Sequence, residues 1–200
     1  MRTIHLASGN PHKAREMQAL ADASGLPVKI VAAANMPVVV EDTGTFAGNA
    51  RKKALALQAL LPPGAWVLAD DSGLCVDALG GEPGVESAYY AGPQGDYAAN
   101  LRKLTEVTRH VPDDRRGAHF VCVLVLRGPD GVERVFEGRC PGALRREPEG
   151  RGGFGYDPLF IPDGHDRTYA ELHEAEKNKI SHRGRAWRFL ADWLRSSRPV

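Results

Sequence analysis

TIHLASGNPHKAREMQALADASGLPVKIVA, residues 3–32, decides between fold classes. Thr3–Ala7 reads as a first strand, and Ser8-Gly9-Asn10-Pro11 breaks it. Asn10 suits a helix N-cap and Pro11 a first helical position. Ala14, Met17, Leu20 and Ala21 recur at helical spacing, which predicts a helix running to about Asp22. After Gly25 and Pro27, Val28–Ala32 reads as a second strand. Strand, helix and strand in succession point to an α/β fold.

Working outward, Met36–Gly44 reads as a loop or short extended piece. Phe46, Ala50, Ala54, Leu57 and Leu61 mark a second helix, stopped by Pro62-Pro63-Gly64. Trp66–Ala69 is expected to be a short buried strand that surfaces at Asp70 and Asp71, with a Ser-Gly turn after them. Gly80–Gly84 reads as a loop and Tyr97–His110 as a third helix. His119–Leu126 is nearly all apolar, as a central strand is. Residues 128–131 make a turn and Val132–Glu137 its hairpin partner. GRGGFGY, residues 150–156, is a loop with two aromatics, and His182–Arg195 is a final amphipathic helix. With no repeat and no clear linker, the expectation is one mixed α/β domain over residues 1–200, with two lobes flanking a cleft.

Composition narrows the function. Hydrophobic residues are 42% and charged residues 26% of 200, as in ordinary globular proteins. The formal net charge of +1 implies no bulk attraction to nucleic acid or to a membrane, so anions must be held by locally placed cations. No stretch has the apolar length of a membrane span or the build of a signal peptide. Cys75, Cys122 and Cys140 form no CxxC pair and lie in or beside apolar stretches, which suggests buried thiols in a reduced, cytoplasmic setting.

Four constellations carry chemistry. In SGNPHK, residues 8–13, a strand end, a glycine, a capping Asn and Lys13 in the first helical turn favour an anion; alone, they also describe an ordinary capped turn. Glu41, Asp70 and Asp71 form an acidic set. Magnesium needs only one or two carboxylates when phosphates and water complete its shell, and a carboxylate left over can accept a proton from an attacking water. A solvated turn is the rival account of the two adjacent acids. Lys53 lies two helical turns beyond Phe46, on the apolar side, where a lysine needs a reason; Arg51 and Lys52 read as a solvated face. Last, GGFGYD, residues 152–157, joins glycines that permit close backbone approach to Phe154, which suits stacking on a planar base.

Taken together, SGNPHKAREM, EDTGTFAGNARKKA, LADDSGLCVDALGGEPGVESAYYAG, GGFGYDPLF and AEKNKISHRGRA resemble, in order, the motifs of the inosine triphosphate pyrophosphatase (Ham1-like) family. The resemblance runs from Ser8 to Ala186. It implies an α/β fold with a long mixed β-sheet, flanking helices and two lobes around a central cleft. It also implies a homodimer that uses Mg2+ to hydrolyse purine nucleoside triphosphates such as ITP, dITP, XTP and dXTP to the monophosphate and pyrophosphate. Such enzymes remove deaminated purines from the nucleotide pool; nucleic acid and membrane are not implied as partners.

Residue roles follow the motifs. Ser8, Gly9, Asn10, Pro11, His12 and Lys13 would hold the triphosphate, with Lys13 and Lys53 neutralising phosphate charge. Asp71 would be general base and magnesium ligand, with Ser72 near the substrate. Glu41, or Asp42 in its stead, would be a further ligand, and Asp70 would support the pair as a third. Phe154, Gly155, Tyr156 and Asp157 would form the base pocket with Lys177, His182 and Arg183. Two alternatives stay open: a related pyrophosphatase with another base preference, and a nucleotide-binding regulatory module without turnover.

Overall fold

The structure, a computed structural model, describes residues 1–197. It is an α/β fold around a curled, mixed sheet of six strands with flanking helices. The elements are β1 (Arg2–Leu6), α1 (Pro11–Ala23), β2 (Val28–Ala32), α2 (Phe46–Gln58), β3 (Trp66–Val76), α3 (Tyr97–Val107), β4 (Gly117–Arg127), β5 (Glu133–Leu144), β6 (Phe160–Pro162), α4 (Glu174–Ile180) and α5 (His182–Ser196). Sheet order is β2-β1-β3-β4-β5-β6; β1 runs parallel to both β2 and β3, and β6 antiparallel to β5. The predicted strand–helix–strand opening is therefore present, with Ile4 opposite Ile30 on one side and Trp66 on the other.

Two compact units divide the chain. The first holds Met1–Asp71, Cys122–Gly138 and residues 183–197; the second holds Ser72–Val121 and Arg139–His182. The first packs Ile4, Leu6, Leu68, Cys122, Leu124 and Leu126 against Met17 and Leu20 of α1 and Trp187 and Leu190 of α5. Side chains alternate across a strand, so these even-numbered residues share one face. Val67 and Ala69, of opposite parity, are buried as well. In the second unit, Leu74, Val76, Phe120, Leu144 and Phe160 pack with Leu104, Tyr156 and Tyr169. There Arg116 is buried among carbonyls, donating to Leu144 O at 2.8 Å, Thr108 O at 2.7 Å and Arg145 O at 2.5 Å, which ties the end of α3 to the end of β5.

Three segments differ most from expectation. β3 does not end at Ala69; it continues through both aspartates, Ser72 and Gly73 to Val76. The acids are buried with cationic partners, so the strand has no reason to surface there. β5 likewise runs to Leu144, past the expected end at Glu137. Finally, α4 was not predicted. EAEKNKI has no apolar period, but Glu174 and Glu176 lie in its first turn and Lys177 and Lys179 in its last, matching the helix dipole.

Leu68 is fully buried between α1 and α5 on the strand that carries both aspartates. We expect Leu68→Ala to lower unfolding free energy by about 2–5 kcal/mol, read as a lower urea midpoint at unchanged slope.

Candidate active site

Adjacent residues on a strand face opposite ways, so Asp70 and Asp71 meet different partners. Asp70 faces α1 and α5. Its carboxylate accepts from Arg183 Nε at 2.8 Å, is paired with Lys13 Nζ, and takes the Cys122 thiol at 3.3 Å. Arg183 in turn donates to Glu16 Oε2 at 2.5 Å. Burial alone would raise the Asp70 carboxyl, but Arg183 and Lys13 hold it well below the usual carboxylate range. The same acids hold Arg183 above its ordinary value against a desolvation that would lower it. With side chains at most 9% exposed, Arg183, Asp70 and Glu16 form a buried charge network.

Asp71 faces α2. Its Oδ1 accepts from Lys53 Nζ at 2.6 Å, and the same ammonium donates to Glu41 Oε2 at 2.9 Å. Asp71 Oδ2 is buried and has no hydrogen-bond partner. Burial pushes the Asp71 carboxyl up to about 6 although Lys53 and Lys13 pull it down. Burial acts on Glu41 in the same upward direction, yet the charge and hydrogen bond of Lys53 bring it below its ordinary value. Lys53 stays cationic: desolvation works against its charge, and Asp71 and Glu41 outweigh it.

The two neighbouring acids, Glu41 and Asp42, take different lysines. Glu41 joins Asp71 around Lys53, whereas Asp42 is 63% exposed and paired with Lys52 at 2.6 Å. Asp70 does not join them, because its oxygens lie on the other face of β3 with Lys13 and Arg183. Among the described residues, no three His, Cys, Asp or Glu side chains gather as a metal centre.

The Ser8–Lys13 turn caps α1. Asn10 Oδ1 accepts from the His12 amide at 2.9 Å and the Lys13 amide at 3.4 Å, and Ser8 Oγ accepts from the Asn10 amide at 3.1 Å. Gly9 and Pro11 are exposed on this turn and His12 half-buried, beside Arg15 at 2.9 Å. Ser72, half-buried, follows Asp71 on β3.

In the second unit the aromatic loop is organised by one buried ion pair. Asp157 Oδ2 accepts from Lys177 Nζ at 2.7 Å and from the Phe154 amide at 2.8 Å. Gly153 is left-handed (φ +67°), and a Cβ there would collide with the Asp157 carboxylate. Lys177 Nζ lies 5.2 Å from the Phe154 ring centroid and 5.6 Å from that of Tyr169, and Phe154 also meets Tyr97 at 5.7 Å. Tyr156 is buried and donates to Ser87 O at 2.8 Å, and Gly155 (φ +64°) precedes it. His182 stacks on Phe120, with centroids 4.7 Å apart and planes at 12°. Phe154, Asp157 and Lys177, three of the residues expected at the base, thus lie together, with Tyr169 beside Lys177; Arg183 is held by Asp70 and Glu16.

A profile of the Ham1 family matches residues 4–193. The chain belongs to the Ham1 family. Among Ham1 relatives, the dITP/XTP pyrophosphatase of Opitutus terrae is 62% identical, covering 97% of this chain and 99% of its own. That of Streptomyces coelicolor is 48% identical over 98% of each. A solved HAM1 protein from Coxiella burnetii matches with TM-score 0.84 at 39% identity, covering 98% of this chain and 100% of that one.

Several positioning residues escaped the sequence reading. Asn49, fully buried on α2, accepts from the Thr43 amide at 3.2 Å and the Thr43 hydroxyl at 2.8 Å, and so docks the loop that carries Glu41. Gly48 allows that approach, since a Cβ there would strike the Thr43 side chain. The available signal was Gly-Asn in the first turns of a helix, where neither residue favours helix. Glu16 was missed too; its spacing of three from Lys13 put both on one helix face.

Asp70→Asn leaves Arg183 and Lys13 without their shared counter-ion. We expect a loss of about 3–5 kcal/mol in unfolding free energy, measured by denaturant titration, because a buried charge is left uncompensated.

Proposed function

We propose that this Ham1 protein is a Mg2+-dependent dITP/XTP pyrophosphatase that cleaves ITP, dITP, XTP and dXTP between the α and β phosphates. It is a nucleoside triphosphate pyrophosphatase, a hydrolase of purine nucleotide metabolism that sanitises the nucleotide pool. The homodimer implied by the resemblance and the cytoplasmic setting suggested by the cysteines belong to the same proposal; among the described residues, no helix is long and apolar enough to cross a membrane.

The observation that carries the reading is the buried Asp71 carboxylate, with one oxygen on Lys53 and the other without a partner. That second oxygen fits a metal or an activated water, and Glu41 fits as the further ligand. Two carboxylates suffice for magnesium when phosphates and water supply the rest. Bound there, the ion would supply charge neutralisation at the phosphates.

The chain's own groups have defined tasks in this scheme. Asp71, held at about 6 by burial, is poised to take a proton from the water that attacks the α-phosphorus. Lys13 and Lys53 neutralise charge on the triphosphate and the departing pyrophosphate. Residues Ser8–His12 seat the phosphates beside Lys13. Phe154 stacks on the base, with Gly155, Tyr156, Asp157, Lys177 and His182 shaping its pocket. Selectivity rests on the carbonyl at purine position 6, because an amino group facing the same donors leaves them unmatched at about 1–3 kcal/mol each. Asp70, itself fixed by Arg183, acts beneath this layer by holding Lys13.

A nucleotide panel with pyrophosphate detection tests the reading. ITP, dITP and XTP should turn over well ahead of ATP and GTP, and excess chelator should stop hydrolysis. Comparable turnover of all five would favour a pyrophosphatase of another base preference. Asp71→Asn should reduce kcat by at least about a hundredfold while the unfolding transition persists; full activity in that variant would remove Asp71 from the mechanism.

A further inference from the structure

Lys53 holds an uncommon post for a lysine expected to meet phosphate. Its ammonium donates to Glu41 Oε2 at 2.9 Å and to Asp71 Oδ1 at 2.6 Å. One cation thus bridges the very pair of carboxylates that fits a divalent ion. The neighbouring Lys52 goes instead to exposed Asp42, so the bridge belongs to the lysine on the inner side of α2.

We propose that Lys53 is an internal competitor of the divalent cation for Glu41 and Asp71, so that metal and nucleotide bind in a mutually dependent way. The inference rests on the metal-dependent reading above.

Charge and donor count carry it. Two carboxylates compensated by one ammonium present a single net negative charge, and one oxygen of each is engaged. To gain both acids fully, a divalent ion must displace two charge-assisted hydrogen bonds. Asp71 Oδ2, buried without a partner, is the foothold that needs no displacement. No third acidic, histidine or cysteine side chain gathers among the described residues to strengthen it. A triphosphate alters both sides of this balance. It offers the ammonium an alternative anion, and it brings the hard oxygens that complete a magnesium shell. Each ligand therefore makes the other's exchange easier, and by linkage the two affinities rise by the same factor. Lys13 adds to the competition by charge alone, since it acts on both Glu41 and Asp71 while paired to Asp70.

The test is a Mn2+ titration of the full chain by electron paramagnetic resonance, with and without an α,β-methylene analogue of ITP, corrected for Mn2+ held by free analogue. Wild type should bind Mn2+ weakly alone and about tenfold or more tightly with the analogue. Lys53→Gln should bind Mn2+ alone about tenfold or more tightly than wild type, and should gain less from the analogue. Lys53→Arg, which keeps the cation, should behave like wild type. If Lys53→Gln melts too low to titrate, its rise in Tm with added Mg2+ should exceed that of wild type. Equal or weaker Mn2+ binding by Lys53→Gln, with wild type binding Mn2+ in the presence of the analogue, overturns this inference and leaves the metal-dependent reading standing. No Mn2+ binding by any of these proteins, even with the analogue, overturns both.

Discussion

The structure turns on a constraint that any β-strand obeys: neighbouring side chains point to opposite faces. On β3 this sends Asp70 toward α1 and α5 and Asp71 toward α2. The two carboxylates are adjacent in sequence but belong to separate electrostatic systems. Each is buried, and burial of a carboxylate is tolerated only where a cation or hydrogen-bond donors meet it. The helices supply those cations, Lys13 from α1, Arg183 from α5 and Lys53 from α2. Strand and helices are therefore placed by a charge requirement as well as by apolar packing.

The two systems differ in how completely they are satisfied. Asp70 has Arg183 and Lys13 on its oxygens and a thiol beside it, and Arg183 is steadied further by Glu16. Such a network is costly to disrupt and suits a fixed base for the capped turn at Ser8–Lys13. Asp71 shares a single ammonium with Glu41 and keeps an oxygen without a partner. Incomplete satisfaction in a buried acid is a destabilising feature by itself. It is also what a site needs if an incoming ion or water is to be held there. The second unit repeats the contrast: Asp157 and Lys177 neutralise each other and set the aromatic loop, while Phe154 stays only half-buried with a ring face near Lys177.

Much of the local architecture was legible before any coordinates. The opening strand–helix–strand unit, α2, β2 and α5 follow from apolar spacing, an Asn-Pro helix start and proline stops, and they lie within a few residues of their expected bounds. The apolar run of β4 read correctly as a strand buried along its length. Less legible were segments whose stability comes from partners far away in the chain. β3 looked finished at Ala69 because charge in a strand normally marks its exit to water. α4 has no sequence signature of its own because its stabilising features are terminal charges and a buried Lys177, not an apolar stripe.

The sequence by itself determined the α/β class, the order of its elements, the Ham1 motifs and the set of acids, lysines and aromatics that carry chemistry. Those are properties of residue type and short-range spacing, which local physics can read. Only the tertiary structure decided which acid meets which cation. It put Asp70 with Arg183 and Lys13 rather than with Lys53, tied Arg183 to Glu16 as well, left Asp42 with Lys52, and set Lys53 between Glu41 and Asp71. Ion pairing inside a protein depends on which side chains burial forces together, and partners separated by 57 or 113 residues leave no trace in local spacing.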